Sequence, residues 1–120
     1  KIGDNVKIQN NVSLYDGVII EDDVFLGPSC VFTNVLNPRA FINKKKKFEK
    51  TFFKKGSTIG ANSTIICGLT IGSYSFIGAG SVVTKNVSNY RLVYGNPAKN
   101  KAWVSKNGDI IKKRTKKNKW

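Results

Sequence analysis

The chain has 120 residues, room for one domain, and carries 21 Lys and Arg against 7 Asp and Glu, a net charge of +14. That surplus fits an anionic partner, whether nucleic acid, a membrane surface or small anionic substrates, and equally fits a genome biased toward Lys and Asn codons. Composition excludes more: with no His there is no imidazole base and no His-ligated zinc, two cysteines make no disulfide framework, and no apolar run reaches the ~18 residues of a membrane-spanning helix.

From the first residues onward an aliphatic or aromatic side chain returns at every sixth position: Ile2, Ile8, Leu14, Ile20, Leu26, Phe32, and later Ile59, Ile65, Ile71, Ile77, Val83. A looser second row stands four residues on, at Val6, Val12, Val18, Val24, Cys30, Leu69 and Val87. Period six matches neither the 3.6 of a helix nor the 2 of an isolated strand, and is the hexapeptide repeat of a parallel β-helix. Residues 1–37 supply six hexads, and three hexads make one triangular coil, each contributing a short strand and a corner. Gly3, Asn5, Asn11, Asp16-Gly17, Asp22-Asp23 and Gly27-Pro28 are the small or turn-forming residues that corners require. Coils stack about 4.8 Å apart, so each inward row becomes a ladder of apolar side chains. The chain opens in mid-register, with Ile2 already on the inward row, which predicts coils upstream of Lys1. Cys30 and Cys67 fall within repeat strands and read as reduced core or near-core thiols, the usage of a cytoplasmic protein.

Between Phe32 and Ile59 lie 27 positions, four hexads plus three, so the register breaks. The basic stretch there, with Lys44–Lys47, Lys54 and Lys55, is expected to project as a loop over 38–56, with hexad phase returning near Phe53. Loops on a rigid solenoid concentrate function, although a tolerated, solvated insertion accounts for the same residues. Residues 57–88 resume the solenoid, and NYRLVYGNPAKNKAW leaves it around Gly95-Asn96-Pro97. This divides the chain into a β-helix over 1–99 and a C-terminal hairpin and basic tail over 100–120. The hairpin is expected as a two-residue type I′ turn at Asn107-Gly108, between Trp103-Val104-Ser105 and Ile110-Ile111. The tail, KKRTKKNKW, reads as a solvated segment or as an anion site.

The run IGANSTIICGLTIGSYSFIGAGSVVTKNVSNYRLVYGNPAK resembles the C-terminal half of the hexapeptide-repeat acyltransferases; the likeness extends over residues 1–103, and IGAGSVVTKNV with VYGNPAK is its most characteristic part. This resemblance implies an all-β fold: a left-handed parallel β-helix, a hexapeptide-repeat solenoid outside the usual right-handed crossover rule, with a protruding loop after the second coil and a short C-terminal extension. VSLYDGVIIEDDVFLGPSCVFTNVLNPRA is most similar to the nucleotide-sugar N-acetyltransferases, which acetylate an amino group on a UDP- or dTDP-linked amino sugar. The pattern is nearest to those acting on UDP-2-acetamido-3-amino-2,3-dideoxyglucuronate. The resemblance further implies acetyl-CoA as co-substrate, no metal, a homotrimer with the site in the groove between columns, and a place in glycan or surface-polysaccharide biosynthesis. Carbonic anhydrases of the same fold need three His ligands and are excluded; relatives that end in a Cys-containing segment have no counterpart after Trp103 here.

Acetyl transfer from a thioester requires a placed, neutral amine and stabilisation of a developing oxyanion. Gly78, Ala79 and Gly80 sit at corners where small side chains admit a ligand to the backbone N–H groups, and ordinary corner geometry explains them as well. The resemblance places coenzyme A contacts at Lys85, Asn96, Pro97 and Lys99, a lysine serving as a point charge for phosphate. By the resemblance Asn34, at the base of the loop, falls on the active-site strand, where its amide oxygen would accept a hydrogen bond from the amine; read alone it is equally an ordinary corner Asn. Arg39, following Asn37-Pro38, suits a carboxylate or pyrophosphate. Tyr15, Glu21 and Asp22 are candidates for the sugar or the base, with corner capping the equal alternative for Asp22-Asp23. An amine only loses an ammonium proton whereas a hydroxyl needs a base, so the missing His favours N- over O-acetylation. Two other readings stand beside this one: a sugar or serine O-acetyltransferase with an acidic base, and a non-catalytic basic β-solenoid module. Phe41, Phe48, Phe52 and Phe53 form no recognisable stacking platform, so nucleic acid is not the expected partner.

Overall fold

The computed structural model describes residues 1–42 and 49–111; the lysine run Lys44–Lys47, Phe48 and the basic tail at 112–120 lie outside them. Short strands alternate with corners: β1 (Lys7–Ile8), β2 (Val18–Ile20), β3 (Phe25–Leu26), β4 (Val31–Phe32), β5 (Thr51–Phe53), β6 (Thr58–Ile59), β7 (Thr64–Ile65), β8 (Thr70–Ile71), β9 (Phe76–Ile77) and β10 (Val82–Val83). Longer strands close the chain: β11 (Arg91–Gly95), β12 (Ala98–Val104) and β13 (Ile110–Ile111). Three sheets form the faces of a triangular column: β2-β5-β8, β4-β7-β10, and β1-β3-β6-β9 extended by β11-β12-β13. The hexad strands pair in parallel, whereas β12 runs antiparallel to both β11 and β13. Partners such as Lys7 and Phe25, or Thr58 and Phe76, stand one three-hexad coil apart in sequence. Among the described residues no helix is long and apolar enough to cross a membrane.

The six-residue ladder is the core. Ile20, Leu26, Phe32, Phe53, Ile59, Ile65, Ile71, Ile77 and Val83 are all buried and form one apolar cluster with Val18, Val24 and Cys30. Each such side chain contributes roughly 2 kcal/mol by leaving water. Two residues before each inward position runs the second row, and from Thr51 on it turns polar except at Leu69: Thr51, Ser57, Ser63, Ser75 and Ser81 are buried. A short hydroxyl fits here because it bonds its own corner: Ser75 Oγ donates to the Gly72 carbonyl at 2.7 Å and Ser81 Oγ to that of Gly78 at 2.6 Å.

The structure revises four readings. The phase returns at Phe53 as expected, paired with Ile20, but β5 starts at Thr51, so the column resumes inside the stretch expected as loop 38–56. Phe32 and Phe53 then pack against each other across the break, rings tilted by 59° with centroids 5.1 Å apart. Val87 faces Ile71 on the inward row, not the second row, and Arg91–Val93 remains on the column because β11 pairs in parallel with β9. That corner is two residues shorter than the others, which hides the last rung from a six-residue count. Both cysteines are buried and free, but Cys30 immediately precedes β4 and Cys67 lies in a corner rather than in a strand. The hairpin exists, with Val104 opposite Ile110, yet its turn spans three residues: the Gly108 N–H donates to the Ser105 carbonyl and only Gly108 has positive φ (87°). Asn107 does not adopt the left-handed conformation that a type I′ turn needs at both central positions.

Candidate active site

Stacked corners make three edges of the column, and the sequence candidates divide among them. The first edge follows β2, β5 and β8. There Asp22 Oδ1 accepts the Asp4 N–H at 2.7 Å, Asp23 Oδ1 accepts the Asn5 amide at 2.7 Å, and Glu21 Oε1 accepts the Lys55 N–H at 2.9 Å. Glu21 also pairs with Lys54 at 3.6 Å. These carboxylates tie one coil to the next, so the capping reading of Asp22-Asp23 describes their contacts and extends to Glu21.

The second edge follows β3, β6 and β9 and carries Gly27, Gly60 and Gly78–Gly80. A side chain on Gly60 would meet the Ala79 nitrogen at 2.5 Å, and one on Gly78 would meet Tyr94 Cβ at 2.8 Å, so these glycines are demanded by the chain's own stacking. The Gly78 N–H donates to the Val93 carbonyl and the Gly80 N–H to that of Ala61, each at 2.8 Å. Those two donors are therefore occupied, contrary to the expectation that they wait for a ligand. Ala79 and Gly80 are nonetheless exposed, and nothing stands within 4 Å of a Cβ placed on Gly80.

The third edge follows β4, β7 and β10; Tyr15 and Asn34 stand on successive coils, and Lys85 lies two coils beyond Asn34, with the Cys67-Gly68 corner between them. Backbone and side-chain bonds define the stack: the Thr51 N–H donates to the Gly17 carbonyl (2.9 Å), the Cys67 N–H to Thr33 Oγ1 (2.9 Å), and the Thr70 N–H to Asn86 Oδ1 (2.9 Å). The loop leaves from this edge, its base closed by the Glu49 N–H donating to the Asn34 carbonyl at 3.1 Å. Asn34 is half-buried, and its side-chain amide hydrogen-bonds to no described residue. Beyond it opens a groove of about 340 Å³ lined by Thr84, Lys85, Asn86, Val93, Pro97, Ala98, Lys99 and Asn100. Lys85, Pro97 and Lys99 thus line one groove, with Asn96 joined to Pro97 by a cis peptide; the lining contains two lysines and no acid. Tyr15 borders a separate hollow of about 190 Å³ with Ser13 and Cys30, whose thiol is pushed up to about 11 by burial, partly offset by a backbone hydrogen bond. Asn37 and Arg39 line a third hollow of about 310 Å³ with Leu36 and Pro38 in the loop. Within one chain, Glu21, Asp22 and Gly78–Gly80 are not brought to the Asn34 edge. Glu49 escaped the sequence reading because it lies in the basic insertion; its spacing just before Thr51 was the available signal.

The stacked triangular coils, with a loop at one corner and a basic groove above it, define a left-handed hexapeptide β-helix. The chain belongs to the bacterial transferase hexapeptide family, whose six-repeat pattern matches residues 1–34 and 51–85 and skips the loop. It is similar to the dTDP-3-amino-3,6-dideoxy-alpha-D-galactopyranose 3-N-acetyltransferase of Aneurinibacillus thermoaerophilus, 52% identical over 59 residues, 49% of this chain and 31% of the relative. Among solved structures it resembles a hexapeptide-repeat acetyltransferase of Vibrio cholerae complexed with acetyl coenzyme A (31% identity, TM-score 0.76, 87% of this chain and 60% of that one). It also resembles a maltose O-acetyltransferase of Clostridium difficile 630 (26% identity, TM-score 0.75, 87% and 58%). The chain spans between 25% and 52% of the length of the curated relatives it matches.

Proposed function

We propose that this chain is the acetyl-transferring part of an acetyl-CoA-dependent N-acetyltransferase acting on a nucleotide-linked amino sugar. One observation carries the reading: in a chain without His, an Asn34 amide that hydrogen-bonds to no described residue shares an edge with the groove of Lys85 and Lys99. Lysines in that groove suit the phosphates of coenzyme A, with Pro97 and Asn96 at its rim. The Asn34 amide oxygen accepts one N–H of the incoming amine and directs its lone pair at the thioester carbonyl. Arg39 and Asn37 meet the diphosphate or carboxylate of the sugar nucleotide, and Tyr15 its sugar or base. Likeness to an amino-sugar N-acetyltransferase over 59 residues supports the amine acceptor. Likeness to a maltose O-acetyltransferase keeps a hydroxyl acceptor as the second reading. A homotrimer that apposes Ala79 and Gly80 of one column to Asn34 of the next would complete the site. The enzyme would work in the cytoplasm, supplying glycan or surface-polysaccharide synthesis.

The test is thiol release from acetyl-CoA with a panel of UDP- and dTDP-linked 3-amino sugars, each beside its hydroxyl counterpart. Turnover confined to amino sugars, lost on Asn34→Ala with the KM for acetyl-CoA unchanged, is the expected result. Turnover confined to hydroxyl sugars establishes the second reading. No turnover and no binding of coenzyme A leaves a non-catalytic module.

A further inference from the structure

Glu49 is the acid on Asn34's own rung. Its backbone N–H closes the loop base on the Asn34 carbonyl at 3.1 Å, and its side chain crosses toward the next coil. A Cβ built on Gly68 would lie 3.6 Å from Glu49 Cβ and 4.0 Å from Oε2. Gly68 adjoins Cys67, whose N–H donates to Thr33 Oγ1 beside Asn34, so the carboxylate leans from the Asn34 rung over the Cys67-Gly68 corner, the coil between Asn34 and Lys85. Glu49 is exposed, and no described hydrogen bond or ion pair occupies its carboxylate. The other acids are placed differently. Asp4, Glu21, Asp22 and Asp23 lie on the first edge, the last three engaged there, Asp109 sits in the C-terminal hairpin, and Asp16 belongs to the preceding coil.

We propose that Glu49 is a catalytic residue, the base that takes the proton from the attacking amine. The proposal rests on the amine-acetylating function above. In the step, the amine lone pair attacks the carbonyl carbon of the acetyl thioester while Asn34 holds one N–H. The C–N bond forms, the second N–H proton passes to the Glu49 carboxylate, and the C–S bond breaks with the electron pair leaving on sulfur. Glu49 then returns the proton to the thiolate, so amine and thioester become amide and thiol with no other reactant. A proton acceptor between amine and leaving sulfur serves both transfers, and a positioned base of this kind is worth on the order of 10²-fold.

The experiment compares the unsubstituted protein, Glu49→Gln and Glu49→Ala on the amino sugar that the panel identifies, with formate added as a small carboxylate. Glu49→Gln is expected to lower kcat about 10²-fold with both KM values and the melting temperature unchanged. Glu49→Ala is expected to lose as much and to recover at least about tenfold with formate, while Glu49→Gln, whose amide fills the space, does not recover. Activity of Glu49→Gln within about twofold of the unsubstituted protein overturns the role while leaving the N-acetyltransferase reading intact. A loss in Glu49→Ala that formate does not restore assigns the side chain to corner packing and overturns it equally. Failure of the unsubstituted protein on every amino sugar overturns the underlying function and this role with it.

Discussion

At the scale of single residues, the buried hydroxyls of the second row separate satisfied from unsatisfied polar groups within one repeat. Ser57 and Ser75 occupy equivalent positions on adjacent coils, both fully enclosed. Ser75 Oγ donates to the Gly72 carbonyl at 2.7 Å, whereas Ser57 Oγ has no partner among the described residues. An unpartnered buried hydroxyl costs about 1–2 kcal/mol of desolvation, and its removal recovers most of that. Ser57→Ala is therefore expected to stabilise the fold by about 1 kcal/mol, and Ser75→Ala to destabilise it by a similar amount. Urea midpoints of the two variants check this; a Ser57→Ala variant less stable than its parent would show that the hydroxyl is satisfied in solution, by water for instance. The same reasoning ranks the acids: Glu21 and Asp22 hold neighbouring coils together, and Glu49, on the rung of Asn34, spends only its backbone on structure.

At the scale of elements, the six-residue ladder was plain in the sequence because inward apolar residues repeat without exception through each run, and the structure buries them from Ile20 to Val83. What escaped were places where the chain keeps the coil but changes its count. β5 begins at Thr51 after the loop, and β11 lies over β9 across a corner shortened by two residues. Counting six back from Ile59 does reach Phe53, where the phase was expected to return, but no fixed period sees the shortened corner, since backbone pairing tolerates a corner of any length that returns the strand to its rung. The grouping of Lys85, Pro97 and Lys99 was legible through family likeness, whereas Glu49 was lost in a lysine-rich loop. Gly78 and Gly80 looked like ligand-facing donors because sequence gives no sign that the rungs consume their N–H groups. The ladder also sets a pH dependence. Cys30 packs in the core cluster, and burial raises its thiol from 9.0 to about 11. The unfolded thiol ionises first, so stability is level through neutral pH and falls as pH rises from about 9 to about 11, by up to about 3 kcal/mol. Cys30→Val should flatten that decline in urea melts taken across the window, and an unchanged slope would show that other groups produce it.

At the scale of the whole molecule, the distribution of candidates over edges bears on how the site is assembled. The third edge offers Asn34, Glu49 and the lysine groove, while the exposed Ala79 and Gly80 stand on the second edge of the same column. Two edges of one triangular column face apart and cannot close on one small ligand, but the proposed three-fold arrangement would set the third edge of each chain against the second edge of its neighbour. Each site would then take Asn34 from one chain and Ala79 from the next. The consequence is complementation between two inactive variants. Asn34→Ala removes the amine's partner, and Ala79→Trp fills the exposed second edge without entering the core; each alone is expected to be inactive, as a trimer. When the two are mixed, unfolded and reassembled in equal amounts, an interface is intact only where an Ala79→Trp chain supplies Asn34 and an Asn34→Ala chain supplies Ala79. Random assembly makes about one interface in four intact, so about a quarter of the parental activity should return. Recovery near that fraction requires a site shared between chains. Trimers by sedimentation that regain nothing would confine the site to one column, and the Gly78–Gly80 corner would then serve only the stacking of coils.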